Sequence, residues 1–226
     1  MNLKSIFIAL IISCFSAQSQ SAVITYEVSN VTENSTDRIK KLKEELQLME
    51  FTLQYNKINS YFKKERNIPK HKFINKIATI IIGAPSDFYQ NLALKKSSYN
   101  TTINNKLYEI DHNYKMKGWE LTTESVIIEK YTCYKAILKE YNNRTESYFE
   151  TVAWYTPDIP VGFGPIGYGG LPGLILQLQY KKSIFTATKI VLNPTKVKIE
   201  KPKQGKKISV GEQVKLMRSA RKVTPD

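Results

Sequence analysis

The sequence predicts an α+β domain that is mainly antiparallel β, a single curved sheet or half-barrel with one or two short helices. Three observations lead there. Seven or more short runs alternate apolar and polar residues between turn-forming residues, the period of half-buried strands. Helical spacing appears only in brief stretches, so strands dominate and have to close round a common core. Six of the ten glycines crowd into GFGPIGYGGLPGLILQL (162–178), followed at once by the apolar Leu174, Ile175 and Leu176.

The elements follow in order. AVITYEVS (22–29) alternates and reads as a first strand. In STDRIKKLKEELQLM (35–49), Ser35 and Thr36 can cap a helix whose Ile39, Leu42, Leu46 and Met49 recur at helical spacing. MEFTLQYNKINSYF (49–62) switches to period two, with Met49, Phe51, Leu53 and Tyr55 on one face. INKIATIII (74–82) is apolar and β-branched, closed by Gly83, Ala84 and Pro85. DFYQNLALK (87–95), SSYNTTI (97–103) and KLYEIDH (106–112) read as successive strands. WELTTESVIIEKYTCYKAILKEY (119–141) and TESYFETVAWYT (145–156) flank a turn at Asn142, Asn143 and Arg144. LILQLQY (174–180) and SIFTATKIVL (183–192) meet at Lys181 and Lys182. Ser209 and Glu212 form a capping-box pattern before Val214, Leu216 and Met217, so a short helix is expected late in the chain, although Gly211 weakens it.

With 226 residues the chain suffices for one domain with its own core. The predicted organisation is a leader over 1–19, the curved β domain over 20–192 and a basic tail over 193–226. Lys4 and the apolar run 6–12 precede Ala17, Gln18 and Ser19, a small-x-small cleavage site, so export is expected. The apolar run is too short to span a bilayer. Ile11, Ile12, Ser13 and Cys14 resemble a lipobox, but the short apolar core before them favours cleavage over lipidation. Either way Cys133 is left as the only mature cysteine, which excludes an internal disulfide. Its place in KYTCYKAIL (130–138) reads as a buried small hydrophobe in preference to a reactive thiol.

Net charge is +14, unevenly spread. Residues 181–226 hold thirteen Lys and Arg against three acids, net +10, while residues 1–180 hold 21 against 17. Such a tail suits an anionic membrane surface or an acidic partner; unpartnered, it is a solvated, partly disordered segment. Nucleic acid is excluded as a partner by the expected export and by the absence of aromatic residues after Phe185.

Several motifs match without their context. Gly162, Gly164 and Gly167 spell the dinucleotide fingerprint, but Gly169, Gly170 and Pro172 forbid the helix it must open. Ser60 and Lys63 fit Ser-x-x-Lys, with no Ser-Asp-Asn or Lys-Thr-Gly downstream. His71 and His112 are far apart and no tetrahedral ligand spacing exists, so no metal and no cofactor is expected. Glu109, Asp111 and His112 lie on one strand end, where neighbouring side chains face opposite sides. Asp158, between Pro157 and Pro160, is the one acid worth weighing for catalysis, and a turn-forming role is preferred. Four Asn-x-Ser/Thr sequons, at Asn30, Asn34, Asn100 and Asn143, denote glycosylation only in an animal secreted protein.

GLPGLIL (170–176) resembles the signature of the GLPGLI family of the Bacteroidetes. VAWYTPDIP (152–160) followed by GFGPIGYGGLPGLILQL is similar to that family's block ahead of the signature. Trp119 and IIEKYTCYKA (127–136) resemble its upstream segment. The resemblance is specific over 154–178 and loose before residue 110. It implies an exported bacterial protein with no established catalytic residues, and the sequons then reflect Asn and Thr abundance.

Pro165 and Pro172 fix their own φ and drive Gly164 and Leu171 toward extended backbone, so the glycine loop is expected to be a stiff cover folded flat over the open end or the concave face of the sheet. Binding residues concentrate on loops held by rigid scaffolds. The candidate ligand-binding set is therefore Trp154, Tyr155, Asp158, Phe163, Gly164, Pro165, Tyr168, Gly170, Leu171, Pro172 and Gly173. The expected activity is non-enzymatic binding of a peptide, a lipid-like ligand or an outer-membrane partner in the periplasm or at the envelope. The rivals are a hydrolase or maturation factor pairing Asp158 with His112 or Tyr155, and a structural accessory subunit of an envelope complex.

Overall fold

The computed structural model describes residues 21–30, 36–142 and 145–222. The leader, Cys14 and the turn at Asn143 and Arg144 lie outside them. Among the described residues twelve strands form one open, curved sheet, mainly antiparallel, with three short helices. The strands are β1 (Ser21–Asn30), β2 (Glu50–Asn56), β3 (Asn59–Lys64), β4 (Phe88–Asn91), β5 (Lys96–Ile103), β6 (Lys106–Asp111), β7 (Glu120–Ile128), β8 (Tyr131–Asn142), β9 (Ser147–Thr156), β10 (Leu174–Tyr180), β11 (Ser183–Leu192) and β12 (Lys206–Ser209). Their spatial order is β12-β6-β5-β4-β3-β2-β1-β11-β10-β9-β8-β7. This is the α+β class that the alternation predicts.

The inner face follows from period two and register. Ile24 and Tyr26 of β1 face Leu53 and Phe51 of β2, and Leu53 faces Phe62 of β3. All five side chains are buried. Phe51 stacks on Phe62 at 5.4 Å between ring centroids, and Phe185 of β11 meets both edge-on. Offset and edge contacts of this kind add to the area that the rings bury.

Two predicted runs resolve differently. The period-two stretch 49–62 is a hairpin, because the Asn56 side chain accepts hydrogen bonds from the amides of Ile58 (3.0 Å) and Asn59 (2.8 Å) and turns the chain. The β-branched run 74–82 lies largely in a helix, α2 (Lys72–Ile81), which packs beside α1 (Asp37–Gln47). Tertiary packing overrides propensity there: Ala78 and Ile82, four apart, both enter the core.

The C-terminal segment is built into the sheet. Lys198 N donates to Gln54 Oε1 on β2 (2.7 Å), and Lys203 N donates to Asn100 Oδ1 on β5 (2.7 Å). This strap crosses the outer face and delivers β12, which pairs in parallel with β6 and buries Ile208 opposite Ile110. Ser209 and Glu212 then exchange capping-box hydrogen bonds at the start of α3 (Val210–Lys222). Tyr99 of β5 and Gln213 of α3 hydrogen-bond within the core. Ile208→Ala is expected to cost about 2–4 kcal/mol, and truncation before Lys206 to cost more. Urea unfolding followed by circular dichroism measures both.

Candidate functional site

The glycine loop, 162–173, folds into the cup instead of lying across its mouth. Phe163, Gly164, Pro165, Tyr168, Leu171 and Gly173 are buried, while Gly170 and Pro172 remain exposed. Tyr155 on β9 is buried and Trp154 half-buried; Asp158 is exposed in the turn after β9. The loop's apolar side chains thus fill the concave face, and a ligand could reach them only by displacing packed chain.

Buried backbone polar groups need partners. This loop and the start of β10 find several of them on side chains from three segments: β1, β4 and the connection between β6 and β7. Tyr26 of β1 donates to Ile175 O at 2.5 Å, Gln90 of β4 to Tyr168 O at 2.9 Å, Lys115 to Ile166 O at 2.8 Å, and Trp119 to Gly169 O at 2.9 Å. Gln90 is itself fixed by Ser60, whose hydroxyl donates to its Oε1 at 2.9 Å. The chain packs so closely that glycine is obligatory. At Gly170, where φ is +78°, an added Cβ would lie 2.0 Å from Met116 O; at Gly173 it would lie 2.1 Å from Thr156 O. Ile166, β-branched, is held at φ 44° and ψ 34°, a conformation costing on the order of 1–3 kcal/mol that persists because its neighbours enforce it.

Two charged side chains are buried next to this loop. Lys115, in a 3-10 turn after β6 (Asn113–Met116), places its Nζ 4.5 Å from the centre of the Tyr168 ring and 4.7 Å from that of Phe88. Burial pushes its pKa down to about 8, opposed by the negative charge of Glu140. Glu140 of β8 accepts hydrogen bonds from Tyr168 Oη (2.6 Å) and Thr151 Oγ1. Burial pushes the Tyr168 phenol up, and Glu140 adds to the effect. His112 is enclosed by Phe88, Tyr99 and Tyr114, and burial holds its pKa well below the ordinary range. Cys133 is buried, with its thiol pushed up to about 11, again by burial.

Glu140 also floors a cleft of about 790 Å³. Tyr114, Tyr141, Phe149 and Tyr180 give it aromatic walls; Lys117, Lys139, Lys181 and Lys207 supply cations. The lining comes from β8 and β9 on one side and from β12 and α3 on the other, near opposite ends of the strand order. Curvature of the sheet brings them together. Sequence reasoning misses this cleft because its residues are spread from Asp111 to Val214 and carry no common spacing. One signal is present: Glu140 alternates in phase with Ala136 and Leu138, an acid on the apolar side of a strand.

A family model described as "Protein of unknown function (Porph_ging)" matches residues 139–177, the stretch that holds Glu140, Thr151, Tyr168 and most of β10. Two structures of PNGF-II, in space groups C2 and P21, share the fold at a TM-score of 0.54 and 17% identity. The alignment covers 89% of this chain and 33% and 34% of theirs, so the chain spans about a third of the length of the PNGF-II chain. No curated protein matches the chain.

Gly170→Ala is expected to destabilise the protein by about 2–4 kcal/mol through αL strain and overpacking, measured by urea unfolding. The depressed pKa of Lys115 carries a sign. Between about pH 8 and its ordinary 10.5 the unfolded chain binds a proton that the folded one does not, so this group's burial penalty fades as pH rises. From about pH 7.5 to about pH 9.5 the wild type should gain roughly 2 kcal/mol relative to Lys115→Met, read from paired unfolding curves.

Proposed function

We propose that the protein is an exported, envelope-associated binding protein of the GLPGLI type, without catalytic activity, whose ligand enters the cleft over Glu140. The cleft carries this reading. Its volume of about 790 Å³ falls in the range of small-molecule sites, about 300–1,000 Å³. Aromatic walls suit an apolar body, and lysine ammonium groups suit an acidic head, so the ligand class is a lipid-like molecule with an anionic group. The wall beneath is preorganised, because Glu140, Thr151 and Tyr168 are already bonded to one another. The concave face under the glycine loop, already filled by the loop's side chains, is the poorer place for a ligand. The exposed lysines of the strap and β12, among them Lys196, Lys201, Lys203 and Lys206, add attraction to an anionic envelope surface.

Calorimetric titration with dodecyl phosphate tests the cleft. Binding is expected at one site. The double substitution Lys139→Glu with Lys207→Glu should weaken it by about tenfold or more, the effect of losing roughly 1.4 kcal/mol, with unfolding unchanged. No heat of binding, or equal affinity in wild type and variant, would count against the cleft; binding of acidic peptides alone would transfer the site to the peptide class.

A further inference from the structure

α2 has a broad apolar face, and among the described residues only part of it is covered. Its inner side buries Ala78 and the following Ile82, and it is fastened by Asn75, which donates to Glu45 Oε2 (2.8 Å) and accepts from Lys64 Nζ (2.9 Å). Its outer side presents Phe73 at 74% exposure and Ile80 at 60%, with Ile68 at 91% just upstream. Positions 73, 77 and 80 fall on one stripe of a helix. Lys72, Asn75, Lys76 and Thr79 form the polar flank of the helix, and among the described residues the outer apolar stripe is left uncovered.

The charge around that stripe says what covers it. From Arg66 to Ser86 the chain has four exposed cations, Arg66, Lys70, Lys72 and Lys76, and no acid. Lys70 lies 3.8 Å from Glu44 of α1, at the surface, a pairing that water and salt screen. The connections β1–α1–β2 and β3–α2–β4 and the β10–β11 turn with Lys182 all lie at one end of the sheet, as the antiparallel registers require. Gly83 at the close of α2 backs onto Tyr180 of that turn. The patch is thus a short helix with aromatic and aliphatic side chains outward and lysines on its flank. That is the composition of a helix that rests in a lipid interface, apolar stripe in the acyl boundary and cations at the headgroups. An acidic protein groove would demand directional hydrogen-bond partners, and this stripe of Phe and Ile offers none. Among the described residues no helix is long and apolar enough to cross a membrane, so the contact is peripheral.

We propose that α2, with the segment from Arg66, is a membrane-surface anchor that inserts Phe73 and Ile80 into an anionic leaflet. This does not rest on the cleft, none of whose lining residues lies in 66–82. The test uses the full chain with vesicles of phosphatidylcholine containing about a third phosphatidylglycerol, and with pure phosphatidylcholine vesicles. Wild type should co-sediment at least about tenfold better with the anionic vesicles. Phe73→Asp with Ile80→Asp should abolish binding in low salt while leaving the circular dichroism and dodecyl phosphate titration unchanged. Phe73→Trp, compared with wild type, should add a blue-shifted emission with anionic vesicles and quenching by brominated acyl chains. Unaltered sedimentation of the double aspartate variant, or an unshifted and unquenched signal from the added indole, would overturn the proposal. So would a concentration-dependent dimer that the aspartates dissolve in the absence of any vesicle binding, because it would assign the stripe to a second copy of the chain.

Discussion

Everything in this fold accommodates one constraint: a glycine-dense chain has been packed into the core, and its carbonyls still need hydrogen bonds. The loop joins β9 to β10, and backbone amides meet only part of the need: Gly162 O accepts from Gly170 N at 2.8 Å and Phe163 O from Ile175 N at 3.0 Å. Gln90, Lys115 and Trp119 donate to the carbonyls of Tyr168, Ile166 and Gly169, and Tyr26 to that of Ile175 at the start of β10. Side-chain donors of this kind have fixed reach, so they fix the loop's height above the sheet and the sheet's curvature around the loop. Glycine at 170 and 173 is then a consequence, since the backbone of Met116 and of Thr156 occupies the space where a Cβ would be.

The same constraint explains two buried charges that would otherwise be costly. A cation in an apolar interior is tolerated when it is hydrogen-bonded and faced by aromatic rings or opposite charge. Lys115 has a carbonyl, two rings close by and the field of Glu140. Glu140 in turn is anchored by two hydroxyls. The loop is therefore tied to the wall of the cleft through Tyr168, whose carbonyl binds Gln90 and whose hydroxyl binds Glu140.

Much of the fold was legible in the sequence. Alternation located the central strands β1, β10 and β11, and the helical spacing of Ile39, Leu42 and Leu46 located α1. The glycine and proline density singled out the loop 162–173. Where the loop lies was not legible, because a cover over the mouth and a plug in the cup have the same composition. The Asn56 turn was hidden within an unbroken period-two pattern. α2 was masked by isoleucine, which favours strands in isolation yet accepts a helix when its spacing feeds the core. The burial of Lys115 has no signal in the sequence and that of Glu140 only its phase with Ala136 and Leu138, since a charge's burial is decided by residues distant in the chain.

The parallel pairing of β12 with β6 joins segments about a hundred positions apart, and loops of that span are slow to close. Lys207, Ile208, Ser209 and the first residues of α3 form a wall of the cleft. The cleft therefore exists only when two distant parts of the chain have met: without 206–214 in place, the cup and its plug have half an enclosure.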